Sequence, residues 1–436
     1  MIRFLFALSL FASTAFGQEL PSAIDQYPDL KSMPDSSAEL QKQLDANGGS
    51  LILKGGVYRL TTGLNVDLAK HGGVVVKSED GGATLIMDGP GSAIRIAGSH
   101  EGTASPTSFK ATTWAERMPI VEGIEIIGNH PEADGIELYQ TFEPVVTKTA
   151  VRWCRHGIVL ATRNRNVSIS DCNLYENSGI GIYLDDVNLH QINISNSHVS
   201  YNRGGGIVVR DGNVRNLQIT GCDIEANMPA DETPTKTANV WIDVSGSRGD
   251  KSKSIAEIAI TGCTIQHSAN YGKEGATKAP GGANIRLSGK EIWPIDSVTI
   301  SGNVMSDTTE GIVIDHSMDV AISGNTSFAP KPNFMTVSNS QRVVATGNTF
   351  NPRQFERPGT IRFSNCRDCV FANSVLHKFQ TEGGAIILEN CEGMSLSGLI
   401  LTDCKSGILV EGGSDNSIEN CKIRGLPEGV EPVIRK

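Results

Sequence analysis

Short runs along most of the chain alternate apolar and polar residues with a period of two, and Gly, Asn, Asp and Ser break the runs. That pattern predicts β-strands joined by tight turns. One phrase recurs as "ISDCNL", "ISNSHV", "ITGCDI", "ITGCTI", "ISGNVM", "ISGNTS", "ATGNTF" and "IENCKI". About ten residues after each comes an apolar-x-apolar phrase, often preceded by Gly: "GIEL", "GIVL", "GIYL", "GIVV", "NVWI", "NIRL", "GIVI".

The first apolar residue of this second phrase marks each unit. The markers are Ile136, Ile158, Ile182, Ile207, Val240, Ile285, Ile312, Met335, Ile361, Ile386 and Ile408. Their spacings are 22, 24, 25, 33, 45, 27, 23, 26, 25 and 22 residues. Such units are too short for a crossover helix, and nothing between the strands has helical periodicity. Three short strands and three turns per unit fit, so stacked units make an all-β, single-stranded solenoid of long parallel sheets, about 11–13 coils in all. The recurring Cys172, Cys222 and Cys263 occupy the same place in the repeat as Asn303, Asn325 and Asn348. They read as small buried hydrophobes and as an amide ladder, respectively.

The ends differ from the repeat. "DSSAELQKQLDANGG" places Asp35 or Ser36 at an N-cap, Glu39 near the capping-box position, and a Leu40/Leu44 stripe ahead of Gly48-Gly49. A helix over 36–46 would cover the open edge of the first coil. Residues 1–17, "MIRFLFALSLFASTAFG", carry one Arg, an apolar run and a small-x-small ending. That is the pattern of a secretory signal peptide, so the mature chain is expected to be secreted or periplasmic. Residues 18–34 form an N-terminal extension and 35–436 the β-helix domain. No later run is long enough to span a membrane.

"GGSLILKGGVYRL", "GGATLIMDG", "NVSISDCNLYENSGIGIYL" and "VTISGNVMSDTTEGIVI" resemble the pectate-lyase-like right-handed parallel β-helix superfamily. The resemblance runs from about Asp35 to Leu426. It implies the fold together with polysaccharide lyase, galacturonase-like hydrolase, uronan epimerase or non-catalytic binding activity. His156-Gly157 and Asp185-Asp186 occur in the reverse of the galacturonase order.

Composition narrows the choices. The net charge is −10 without a Lys/Arg cluster, which argues against a nucleic-acid partner. Nine cysteines leave at least one thiol unpaired or shared between chains, and Cys366/Cys369 lack the second pair that a metal knuckle needs.

In each marker strand, the residues one and three places after the marker face outward. The first outward column runs Glu137, Val159, Tyr183, Val208, Trp241, Arg286, Val313. The second runs Tyr139, Ala161, Asp185, Arg210, Asp243, Ser288, Asp315. Insertions at 228–238 and 267–283, with an irregular stretch at 99–119, flank these rungs. They bring Trp114, Tyr271 and Lys273 toward them. Tyr183 and Trp241 are expected to stand exposed and stack on sugar rings. Asp185 and Asp243, about 10 Å apart across two rungs, are the expected acid/base pair, with Arg210 between them and His156 as a further acid or base. Arg286 would position an anionic group, and Glu137, Tyr139 and Asp315 would bind substrate. Asp186 turns the chain or, with Asp185 and Asp211, lends calcium a ligand. The expectation is a monomer acting on an acidic polysaccharide, with no required cofactor. Hydrolysis leads, ahead of β-elimination and of binding without turnover.

Overall fold

The structure, a computed structural model, describes residues 23–103, 111–229, 234–245, 254–267, 280–329, 332–353 and 358–436. The expected signal peptide, Tyr271 and Lys273 lie outside the described residues. Each turn of the chain contributes one strand to each of three parallel sheets. The third sheet has 14 strands, one per turn. The first and second sheets run into each other around a corner, which strands Ile158–Ser170 and Ile180–Ser195 pass unbroken. Two turns come before the Ile136 rung and one follows the Ile408 rung, because Leu64, Ile94 and Val433 extend the marker column without carrying the marker phrase.

The marker register holds throughout. Ile136 pairs with Ile158, Ile158 with Ile182, Ile182 with Ile207, Ile207 with Val240, and so on to Ile386 with Ile408. These inward residues are fully buried, each contributing about 1.5–3 kcal/mol of hydrophobic stabilisation. The Gly before many markers is required by close approach. A Cβ at Gly157 would sit 2.4 Å from the Gly181 carbonyl oxygen one rung on, and at Gly206 2.4 Å from that of Asn239.

All nine cysteines are free thiols, and eight of them are buried. The amide ladder forms: Asn303 Nδ2 donates to Asn325 Oδ1 and Asn325 Nδ2 to Asn348 Oδ1, each at 3.0 Å. A second ladder, unforeseen, joins Asn177 to Asn202 and Asn202 to Asn227 at 2.7 Å.

The cap helix spans Ser37–Ala46, with Leu40 and Leu44 in the main core. Gln41 completes the edge of the first rung, accepting from Asn65 N at 2.9 Å and donating to Asn65 O at 3.0 Å. Its N-terminus differs from the expected box. Asp35, not Ser36, accepts from Ser37 N (3.0 Å), and Glu39 accepts from Gln43 (2.9 Å) instead of reaching back. Asp35 also takes the Ser37 and Thr61 hydroxyls, and these bonds hold its carboxyl well below the usual carboxylate range. The extension is docked: Ala23 and Leu30 pack with Ile86 and Ile127 on the third sheet. Among the described residues, no helix is long and apolar enough to cross a membrane.

Candidate functional site

Both outward columns line up as the repeat predicts. Glu137, Val159, Tyr183, Val208, Trp241 and Arg286 are register partners in sequence, as are Tyr139, Ala161, Asp185, Arg210, Asp243 and Ser288. Asp186 has φ 45° and turns the corner.

Exposure divides the columns. Tyr183 and Trp241 are only 8% and 7% exposed, in a cluster with Ile180, Val208, Ala238 and Ala283. The expectation that they stand open for sugar stacking is therefore corrected. Strand alternation sets the direction of a side chain but not what lies over it. The Arg210 guanidinium lies 4.8 Å from the Trp241 ring, whose Nε1 donates to Ser288 Oγ at 3.1 Å. Asp243 is buried too. One of its oxygens accepts from the Ser245 backbone N–H (2.9 Å) and hydroxyl, and the other lies 3.9 Å from Arg210 Nε. Such a carboxylate is shielded, so Asp243 is not open to substrate as the expected acid/base pair requires. Arg286 is buried as well, donating to the backbone oxygens of Thr237 and Gly281.

The rungs before these are open. On the Ile158 rung the outward residues are small, Val159 and Ala161, and both are partly exposed. Glu137 and Tyr139 rise on one side of this floor, Tyr183 and Asp185 on the other. The result is a notch with a carboxyl on each flank. Glu137 is held at 3.1 Å by Arg95, whose guanidinium also lies over the Tyr139 ring at 4.6 Å. Residues 99–103 lie beside this end of the face, with His100 N bonded to Gln140 O (3.0 Å) and Arg163 Nη1 to Gly102 O (2.7 Å).

His156 closes the notch where the strand begins. Its ring packs 5.1 Å from that of Tyr183, and its Nδ1 accepts from Ile180 N at 3.0 Å. That bond assigns the ring proton to Nε2, which makes His156 a fixed donor in place of the expected acid or base. Asp134, the counterpart of His156 one rung earlier, accepts from His156 N (3.0 Å) and grips Arg155 through two bonds of 2.9 and 2.5 Å. Burial pushes the imidazole below its ordinary value, and the charge of Arg155 works in the same direction against Asp134 and Asp185. A lowered folded-state value means that the unfolded chain binds more protons below about pH 6.5. The resulting stabilisation is complete above that pH and falls as the pH drops toward the folded value. His156→Asn should flatten the loss of unfolding free energy between pH 7.5 and 5. Identical slopes in the two proteins would remove His156 from the account.

Reading only the outward columns misses a third column, two places before each marker, to which Asp134 and His156 belong. Glu310 lies in it too. Its carboxylate accepts from Asn333 Nδ2 at 3.1 and 3.0 Å, and burial raises its proton affinity. A cavity of about 400 Å³ joins it to Lys236, Arg286 and Thr336. The signal was the Glu before "GIVI", at the same offset as the His in "HGIVL".

The family described as "Right handed beta helix region" matches residues 85–265. The one described as "Periplasmic copper-binding protein (NosD)" matches 256–432. The copper named there finds no fit: the cysteines of that half are core side chains apart from the partly exposed Cys421, and among the described residues no three His, Cys, Asp or Glu side chains converge. No curated protein matches the chain. Among solved structures, tailspike protein 3 of bacteriophage CBA120 is 15% identical with a TM-score of 0.60, over 93% of this chain and 63% of that one. A mutant tailspike of E. coli bacteriophage HK620, in complex with pentasaccharide, is 13% identical with a TM-score of 0.51, over 92% and 77%. The catalytic unit of an α-1,3-glucanase from Streptomyces thermodiastaticus is 13% identical with a TM-score of 0.50, over 92% and 67%. The chain thus spans less than two thirds of the CBA120 tailspike. Strand register, family match and structural likeness agree: the chain is a right-handed parallel β-helix.

Proposed function

We propose that this protein is an exported enzyme that hydrolyses glycosidic bonds of an acidic polysaccharide in the notch over Val159 and Ala161. One observation carries this reading: the open stretch of the first sheet places Glu137 and Asp185 on opposite flanks of two small residues. Two rungs and a two-residue offset along the strand separate their backbones by roughly 12 Å, and side-chain tilt brings the carboxyls toward the roughly 6.5–9.5 Å that lets one protonate the leaving oxygen while the other activates water. This pair replaces Asp185 with Asp243.

The other residues have supporting roles. His156 Nε2 donates to a sugar oxygen. Arg155, at the notch edge, and Arg210, on the next rung, supply positive charge for an acidic sugar. Asp243 and Trp241 position Arg210 from beneath. The saccharide in the tailspike complex, the glucanase and the periplasmic family description favour glycan chemistry and export.

The test incubates the full chain with alginate, polygalacturonate and neutral glucans, following reducing ends together with the ultraviolet absorbance of a new carbon–carbon double bond. Reducing ends without absorbance are expected on an acidic polymer. Absorbance rising in step with reducing ends would mean β-elimination, and no release from any polymer would mean binding alone. Either result overturns the proposal.

A further inference from the structure

A groove of about 500 Å³ lies on the corner between the first and second sheets, well along the stack from the notch. It crosses the rungs of Ile285, Ile312, Met335 and Ile361, and its lining includes Lys290, His316, Asn339, Gln341, Asn365 and Arg367. Lys290 stands at one end, on a tight loop closed by reciprocal Lys290–Trp293 backbone bonds of 3.1 and 3.0 Å. Arg367 stands at the other end, its guanidinium bonded to Gln341 Oε1 at 2.9 Å. Among the described lining residues Glu291 is the one acid. The Arg367 guanidinium also lies 3.6 Å from Asp368, so the groove carries mixed charge with a cation at either end.

Between the cations runs a chain of amides. Asn365 Nδ2 donates to Asn339 Oδ1 (3.2 Å), and Asn339 Nδ2 donates to Asp315 Oδ1 (2.9 Å). Asp315 also takes the Ser338 hydroxyl at 2.7 Å and lies 3.1 Å from His316 Nδ1. These contacts offset part of its charge, and the carboxylate beside Nδ1 leaves Nε2 as the ring nitrogen for a ligand. Asp315, expected to bind substrate, is a positioning residue here.

We infer that this groove is a distal subsite for the anionic units of a polysaccharide: the cations take the acidic groups and the amide row takes hydroxyls. A planar guanidinium suits a carboxylate in particular. The inference rests on the reading that an acidic polysaccharide lies along this protein, but not on where that polymer is cut.

The experiment is calorimetric titration of the full chain carrying Asp185→Asn, so that no ligand is consumed. The probes are an oligogalacturonate, a sulfated glucan oligomer and a neutral maltooligosaccharide of equal length. Oligogalacturonate should bind, more weakly as salt rises, and Lys290→Gln with Arg367→Gln should weaken it about tenfold while the melting temperature stays put. Tighter binding of the sulfated oligomer would overturn the carboxylate assignment. Equal binding of the neutral oligomer, or of oligogalacturonate by the double variant, would overturn the subsite. The double variant in the otherwise wild-type chain separates the two proposals: unchanged cleavage with unchanged KM removes the subsite and leaves the notch chemistry standing, whereas a raised KM at constant kcat supports both.

Discussion

Asp185→Asn is expected to lower kcat on the cleaved polymer by roughly 10²–10⁴-fold while leaving the fold intact. The amide has the volume of the carboxyl, and Asp185 is a partly exposed side chain between Ala161 and Arg210 in register, so little packing depends on its charge. What it loses is the ability to exchange a proton with a leaving oxygen or a water. Glu137→Gln should fall in the same range for the same reason. Asp243→Asn is the discriminating control. Its side chain is shielded and acts through Ser245 and Arg210, so its loss should show mainly as reduced stability and a raised KM, with kcat within about tenfold. Steady-state kinetics of the three variants, beside their thermal unfolding, check this. An inactive, folded Asp243→Asn together with a fully active Glu137→Gln would return the reacting pair to Asp185 and Asp243.

The repeat is legible in the sequence because a parallel coil demands it. Residues one rung apart must present the same side, so Ile182, Ile207 and Val240 had to fall at one offset, and each pairs as its phrase predicts. The same logic placed Asp185, Arg210 and Asp243 in one column. It carried no information on cover. Trp241 and Asp243 face away from the core yet are buried, because Trp241 packs with Val208, Ala238 and Ala283 and Asp243 folds against Ser245 and Arg210. Residues at the turn-to-strand boundary were also illegible as a group. His156 and Glu310 each look like a lone polar residue before a Gly, and only the shared offset from the marker shows that they stand in one column. The Asn177, Asn202 and Asn227 ladder was present as a 25-residue spacing. Asn two residues before a Gly or Pro is also ordinary turn chemistry, which hides a second role.

That ladder carries the largest expected effect on stability, from Asn202→Ala. Asn202 Oδ1 accepts from the Asn177 backbone N–H (3.2 Å) and side-chain amide (2.7 Å), while its own amide donates to Leu174 O (3.0 Å) and Asn227 Oδ1 (2.7 Å). Alanine removes both functions in a fully buried position. Asn227 Oδ1 keeps the Asn202 backbone N–H, at 3.2 Å, and the Asn177 amide keeps a longer bond to Val151 O, at 3.4 Å. The Asn177 N–H keeps no such substitute in the ladder, whereas the Leu174 carbonyl still lies in a paired strand. At about 1–3 kcal/mol for the orphaned N–H and about 1 kcal/mol for each further bond lost, the loss comes to roughly 3 kcal/mol. In a solenoid each rung contacts only its neighbours, so the damage should stay local. Native-state hydrogen exchange should quicken at Cys154, Asn177 and Asn202 and remain unchanged around Asn325 and Asn348, which belong to the other ladder. Cys154 N is itself bonded to Asn177 Oδ1 at 3.0 Å, in the turn that carries His156. Loosening the ladder should therefore also free His156 from the Ile180 N–H and lower turnover, although Asn202 touches no part of the notch. If exchange quickened equally along the whole stack, or turnover held while those amides opened, the ladder would be a general stabiliser with no part in holding the site.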